Sequence, residues 1–308
     1  MRNSPPKNIN YMAAIKPMAI MSAFLLIASV ILIVSRGLNL GMDFTGGTTV
    51  IVESQQALDP DQVSQSVERS GFSDAVVQHY GSSTNMSIRV PPQSDLESNK
   101  VGERIFDDLR AEIGDLELLQ VNFIGPQVGD ELRDQSGLAV LVATILMAIY
   151  VWFRFTNKFG IATVFALVHD VILIVGLFSL MRWQFDLTVL AGVLALIGYS
   201  LNDTVVIADR IRENFRFSRE TNAKELVNRS INETMSRTII TSLTTMLTLM
   251  ALLLLGGEVV RGFSLALLIG IVIATYSSIY MLPLCLFMLK VSKDDFLIKE
   301  KEEIDEMP

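Results

Sequence analysis

The chain has 308 residues, half of them hydrophobic and 19% charged, with a formal net charge of -8. Its mean hydropathy of +0.43 is too high for an ordinary water-soluble domain and points to a lipid bilayer. One cysteine, Cys285, sits inside an apolar run and the two histidines are His79 and His169, which excludes a disulfide framework, a CxxC site and a histidine-rich metal centre.

Six apolar stretches are long enough to cross a hydrocarbon core of ~30 Å at ~1.5 Å per residue. They are Met18 to Val34, Leu138 to Phe153, Ile161 to Met181, Leu187 to Ala208, Ile239 to Leu255 and Phe263 to Leu289. Lys7 and Lys16 precede the first in the manner of a signal peptide, but no Ala-x-Ala cleavage signal follows, so it reads as an uncleaved span. The segment before it, alternate connecting loops and the tail carry sixteen Lys or Arg, against only Arg182 and Arg261 in the two short loops opposite. By the positive-inside rule both termini are expected in the cytoplasm.

Between the first two spans lies a segment too long for a structureless loop. Strand patterns run over Thr48 to Glu53, Ala75 to Tyr80, Met86 to Val90 and Leu116 to Ile124, with helical patterns over Pro60 to Ser70 and Asp95 to Ile113. The order β-α-β-β-α-β predicts a ferredoxin-like α+β domain outside the cytoplasm. With seventeen Asp or Glu against seven Lys or Arg between Arg36 and Ser136, nucleic acid is not an expected partner, nor is direct binding to an anionic lipid surface. The expected organisation is a cytoplasmic N-terminus and first span at 1–36, the external domain at 37–136, a five-helix bundle at 137–290 and an acidic, solvated tail at 291–308.

Ionisable groups inside spans are the informative residues, because each costs roughly 2.5 to 3.5 kcal/mol at the bilayer centre on insertion scales. Asp203 lies inside the fourth span between Asn202 and Thr204, in its cytoplasmic half. Arg237 enters the fifth span at a similar depth, so an ion pair between the two is feasible. Thr238, Thr241, Ser242, Thr244 and Thr245 recur at spacings of three and four and give that helix a hydroxyl-bearing face. Such a face holds water or packs against a partner helix; Ser200, Thr241 and Thr245 are the expected carriers of water to Asp203. His169 and Asp170 make a second polar site. As neighbours they point about 100° apart, so they are not expected to face one partner, and a hydrogen bond from Asp170 to a helix end or loop is the structural alternative. Tyr199 and the small residues Gly192, Ala195 and Gly198 read as helix packing.

Enzymatic signatures are missing. Gly41-Met42-Asp43-Phe44-Thr45-Gly46-Gly47 lacks the Lys-Ser/Thr ending of a phosphate loop, and neither Gly-x-Ser-x-Gly nor His-Glu-x-x-His occurs. Glu225 and Glu233 read as solvated faces of an amphipathic helix. The expectation is a non-enzymatic protein without a cofactor or bound metal, driven by an ion gradient or by a partner.

Several of these segments together resemble the SecF family of protein-export membrane subunits. They are Gly41 to Gly47, Gly125-Pro126-Gln127-Val128-Gly129, Asn202-Asp203-Thr204-Val205-Val206, Asp209-Arg210-Ile211-Arg212-Glu213-Asn214, Ser236-Arg237-Thr238 and Thr241 to Thr245. The similarity runs from about Lys16 to Lys290. It implies an RND-superfamily half-bundle in the bacterial inner membrane, completed by SecD and associated with the SecYEG channel, YajC and translocating preproteins. It implies assistance to late export, powered by the proton-motive force, with the family's intramembrane carboxylate at Asp203 and its arginine at Arg237. The motif at the start of the external domain, with Gly41, Asp43, Phe44, Gly46 and Gly47, is also carried over from the resemblance. A small-molecule exporter half and a non-conducting scaffold subunit are the alternatives.

Overall fold

The computed structural model describes residues 9–92, 98–218, 220 and 222–292. After a single 3-10 turn, the elements in chain order are α1 (Ile15–Arg36), β1 (Asn39–Leu40), α2 (Met42–Thr45), β2 (Gly47–Ser54), α3 (Pro60–Arg69), β3 (Val76–Tyr80), β4 (Ser82–Val90), α4 (Ser98–Ile113) and β5 (Leu116–Ile124). The helices α5 (Pro126–Arg154), α6 (Asn157–Met181), α7 (Leu187–Phe217), α8 (Ala223–Leu255) and α9 (Glu258–Met288) follow, with the two-residue strand β6 (Gln184–Phe185) between α6 and α7.

The α+β domain folds as its pattern predicts. Asp59 caps α3 by accepting from the Asp61 N–H, Pro60 occupies the first helical position, and Val63 and Val67 form the buried face. The sheet order is β3-β4-β2-β5 with every pairing antiparallel, the ferredoxin-like arrangement. Val50, Val52, Ile88, Val63, Ile105 and Leu109 form its core. The expected start of α4 at Asp95 lies outside the described residues, as do Arg2, Lys7 and most of the acidic tail.

All six expected spans are helices long and apolar enough to cross a membrane, and the chain is a multi-pass membrane protein. They are longer than the apolar runs alone. Helix α7 continues past Ala208, and α8 begins at Ala223 rather than near Ile239, because Ile211, Phe215, Leu226, Val227 and Ile231 pack into one buried cluster beyond the apolar stretch. Each added residue also adds a backbone hydrogen bond to a helix already nucleated.

Burial divides the bundle. The most apolar windows of α6, α7 and α9 are each 56% buried, against 11% for α1, 6% for α5 and 17% for α8. The first three form the packed interior; the other three turn large apolar side chains such as Phe24, Ile31, Leu141, Ile145 and Leu247 outward.

Candidate functional site

Asp203 is 2% exposed, at the junction of α7, α8 and α9. Its Oδ2 accepts from Ser242 Oγ at 3.4 Å. Ser242 Oγ in turn lies 3.0 Å from Thr275 Oγ1 of α9 and accepts from the Tyr199 hydroxyl at 3.3 Å. Among the described residues this buried carboxylate is hydrogen-bonded by a hydroxyl and forms no ion pair, an arrangement in which adding or removing one proton changes the local electrostatics outright.

The expected ion pair with Arg237 is not formed. Arg237 is exposed and, among the described residues, makes no ion pair. It lines an open cavity of about 340 Å³ with Asp209, Arg210, Glu213 and Glu233, between α7 and α8. The long arginine side chain carries its charge to this polar opening instead of burying it. Glu233 is likewise more than a solvated face. It accepts from Arg210 at 2.6 Å, from Arg229 at 2.8 Å and from Asn214 at 2.9 Å, bracing α8 against α7.

The hydroxyl face of α8 also divides. Thr238 and Ser242 are buried, whereas Thr241 and Thr245 turn aside and return their hydroxyls to carbonyls of their own helix. Thr204 is buried with no partner for Oγ1 among the described residues, and Asn202 is exposed on the other side of α7. Ser200, an expected carrier of water to Asp203, donates to Asp170 at 2.6 Å. Thr275 and Tyr199 are the contributors that sequence reasoning missed. The polar run Thr275-Tyr276-Ser277-Ser278 inside the last span was the available signal for the first.

His169 and Asp170 reach different partners, as expected from their 100° separation, and they also meet each other. Their side chains bend toward each other, with Nδ1 3.0 Å from Oδ1. Asp170 reaches a mid-helix serine of α7, not a helix end, and His169 Nε2 lies 2.5 Å from Ser22 Oγ of α1.

At the other end of α7 lies the glycine-rich segment. The Gly41 N–H donates to the Phe185 carbonyl at 2.7 Å, β1 and β6 pair in parallel, and Asp43 Oδ2 accepts from the Leu187 N–H at 3.0 Å. Phe44 is 2% exposed and packs with Phe178 and Phe185. Gly46 and Gly47 have φ of +70° and +126°. A Cβ on Gly46 would fall 2.9 Å from the Pro126 Cα, and one on Gly47 would collide with the Val90 carbonyl, so only glycine fits where β2 leaves the membrane end of the domain. Burial pushes the Arg89 guanidinium of β4 below the ordinary arginine range, and the Asp186 carboxylate that caps α7 pulls the other way. The segment therefore clamps the α+β domain onto the first turn of the helix that bears Asp203.

Comparison with known proteins agrees with this architecture. Residues 105–292 match the family model of the protein export membrane protein SecD/SecF, C-terminal, and residues 31–57 match the SecD/SecF GG motif. The chain is 39% identical to the protein translocase subunit SecF of Vibrio alginolyticus, covering 98% of each. It is 42% identical to that of Pseudomonas aeruginosa, covering 89% of each. The crystal structure of SecDF from Thermus thermophilus, a translocon-associated membrane protein, superposes with a TM-score of 0.84 at 36% identity over 94% of this chain. A structure of SecDF in a super-membrane-facing form gives 0.70. This chain spans 40% of the length of those two solved chains. On the evidence of its family model, its relatives and its fold, the chain belongs to the SecF family of protein-export membrane proteins.

Proposed function

We propose that this chain is a proton-motive-force-driven subunit of the Sec translocase that assists late steps of protein export together with a SecD partner. It sits in the bacterial inner membrane with both termini in the cytoplasm and its α+β domain outside. The observation that carries the reading is Asp203: a buried intramembrane carboxylate hydrogen-bonded by the Ser242 hydroxyl, on a helix whose first turn is bonded to the α+β domain.

Taking up a proton removes the need for the Ser242 hydroxyl to face Asp203, and losing it restores that need, so each cycle changes how α7 sits on α8. Leu187 is sixteen residues before Asp203, roughly 24 Å of rigid helix. A shift at Asp203 thus reaches Asp43 and the domain above as a tilt or translation, the movement by which an emerging preprotein is pulled. One charge crossing ~100 mV yields about 2.3 kcal/mol, and each pH unit of gradient adds about 1.4 kcal/mol. The outward apolar faces of α1, α5 and α8 suit a homologous SecD half. The SecYEG channel, YajC and translocating preproteins are the further partners, and the protein works as a transport subunit rather than as an enzyme.

The test is export into inverted membrane vesicles after ATP is exhausted, with and without an uncoupler, for Asp203→Asn in the assembled complex. The variant is expected to assemble normally and to lose the uncoupler-sensitive component. Full retention of that component makes Asp203 structural and leaves the scaffold reading in its place.

A further inference from the structure

One buried ionisable cluster takes no part in the mechanism above. His169, Asp170 and Ser200 are each 1% exposed and Ser22 is 2% exposed, and together they join α1, α6 and α7. We propose that His169 and Asp170 form a second proton-binding site of this chain, separate from Asp203 and linked to it through Ser200. The inference rests on the reading of the chain as proton-driven.

The hydrogen bonds fix the chemistry. An ionised carboxylate only accepts, so Asp170 Oδ1 takes the N–H of His169 Nδ1 at 3.0 Å and Oδ2 takes the Ser200 hydroxyl at 2.6 Å. That leaves His169 Nε2 as an acceptor, facing the Ser22 hydroxyl at 2.5 Å. In this state the cluster carries one negative charge. Among the described residues the only ion-pair partner of Asp170 is His169. A buried carboxylate without a counter-charge is costly, and one proton on Nε2 removes the deficit by making an imidazolium–carboxylate pair of zero net charge.

The required rearrangement is small. The added proton bonds to Nε2, and the Ser22 hydroxyl turns from donor to acceptor. No other covalent bond forms or breaks, and release reverses the same step. The hydroxyl hydrogen of Ser22 then turns toward the start of its own turn, where Met18 already accepts from Tyr276 of α9 at 2.8 Å.

Ser200 links this site to the first. It is buried on the same face of α7 as Asp203, one turn away, so the charge on Asp170 governs the hydroxyl that α7 presents beside Asp203. The elements packed around the pair carry further titratable groups: Lys16 and Arg36 on α1, Lys158 on α6, the charges from Asp130 to Asp134 with Tyr150 and Arg154 on α5, Tyr199, Asp203 and the charges from Asp209 to Arg216 on α7, and Glu258, Arg261, Tyr276, Tyr280 and Cys285 on α9.

Having two histidines gives a direct test. His79 is exposed on β3, so His79→Gln, with the isotope label confined to this chain, leaves a single labelled histidine without touching the site. The 15N signals of His169 are recorded in the chain assembled with its SecD partner in lipid nanodiscs, between about pH 5 and pH 8. An imidazolium signature within that range, lost at the same pH when Asp170→Asn removes the counter-charge, supports the proposal. A neutral ring at every pH, or an imidazolium indifferent to Asp170→Asn, overturns it.

His169→Gln, in the uncoupler assay, is expected to assemble and to lose uncoupler-sensitive export severalfold; unchanged export overturns the link to function. The two readings fail separately. A neutral His169 leaves the Asp203 mechanism standing, and intact export in Asp203→Asn removes that mechanism while leaving the His169 titration as measured.

Discussion

Asp43 Oδ2 accepts the backbone N–H of Leu187 at 3.0 Å, across 144 residues of sequence. Leu187 is the first residue of α7, and its N–H is one that the helix itself leaves unpaired. Asp186 satisfies the neighbouring N–H of Val189 at 2.9 Å, so two carboxylates from different parts of the chain share one helix start. Negative charge there also favours the helix dipole.

Removing the Asp43 carboxylate therefore removes both a cap and a mechanical tie. Asp43→Ala is expected to cost about 1 kcal/mol, the usual value for a lost helix cap, and Asp43→Asn less, because its amide oxygen still accepts. Thermal unfolding in lipid nanodiscs checks the order. In export assays Asp43→Ala should weaken the uncoupler-sensitive component even though Asp203 is untouched; wild-type export from a destabilised Asp43→Ala protein would show that the tie transmits nothing.

Ser242 is the hinge of the Asp203 site, since its one hydroxyl meets Asp203, Thr275 and Tyr199. Ser242→Ala leaves the carboxylate without its neutral donor, and a hydrogen bond to a charged group is worth about 1.5–3 kcal/mol. At 3.4 Å the loss should fall at or below the low end of that range. Uncoupler-sensitive export is expected to drop more in Ser242→Ala than in Thr275→Val, which removes only the outer hydroxyl. Equal activity of both variants and the wild type would take Ser242 out of the mechanism.

Orientation has its own test. The distribution of sixteen Lys or Arg against two predicts the β3–β4 turn outside and the α7–α8 loop inside. A reporter active only outside the cytoplasm should be active when fused at Ser82 and silent when fused at Ser218 or after Met307. Activity at Ser218 would reverse the assignment.

Periodicity found what is repeated along the chain and missed what one side chain does across it. The strands, α3 and six membrane helices were legible because Val63 with Val67, or Val50 with Val52, follow the spacing of their element. Asp203 was legible because a carboxylate in an apolar run is conspicuous. Its partner was not. Arg237 had the right depth, but depth along α8 says nothing about the direction of a side chain, and the direction is toward the polar opening. Thr241 and Thr245 shared a spacing with Ser242 but not its face. The 100° rule held for the partners of His169 and Asp170, which are Ser22 and Ser200 on different helices, but it gave no sign that side-chain torsions bring the ring and carboxylate together.

The parallel pairing of β1 with β6 also sets an order of events during synthesis. Asn39, which donates to the Arg182 carbonyl, is made 143 residues before it. At ~5–20 residues per second this is a wait of roughly 7 to 30 s. In that interval the intervening α+β domain has all four of its strands, and α1 and α5 are already synthesised, while the glycine-rich segment still lacks the edge that it will join. The ribbon closes only when α6 has been made and the chain has turned back into α7. Its two residues thus act as a late latch: the α+β domain can fold on its own schedule, but it is fastened to the helix that moves it only once that helix has begun.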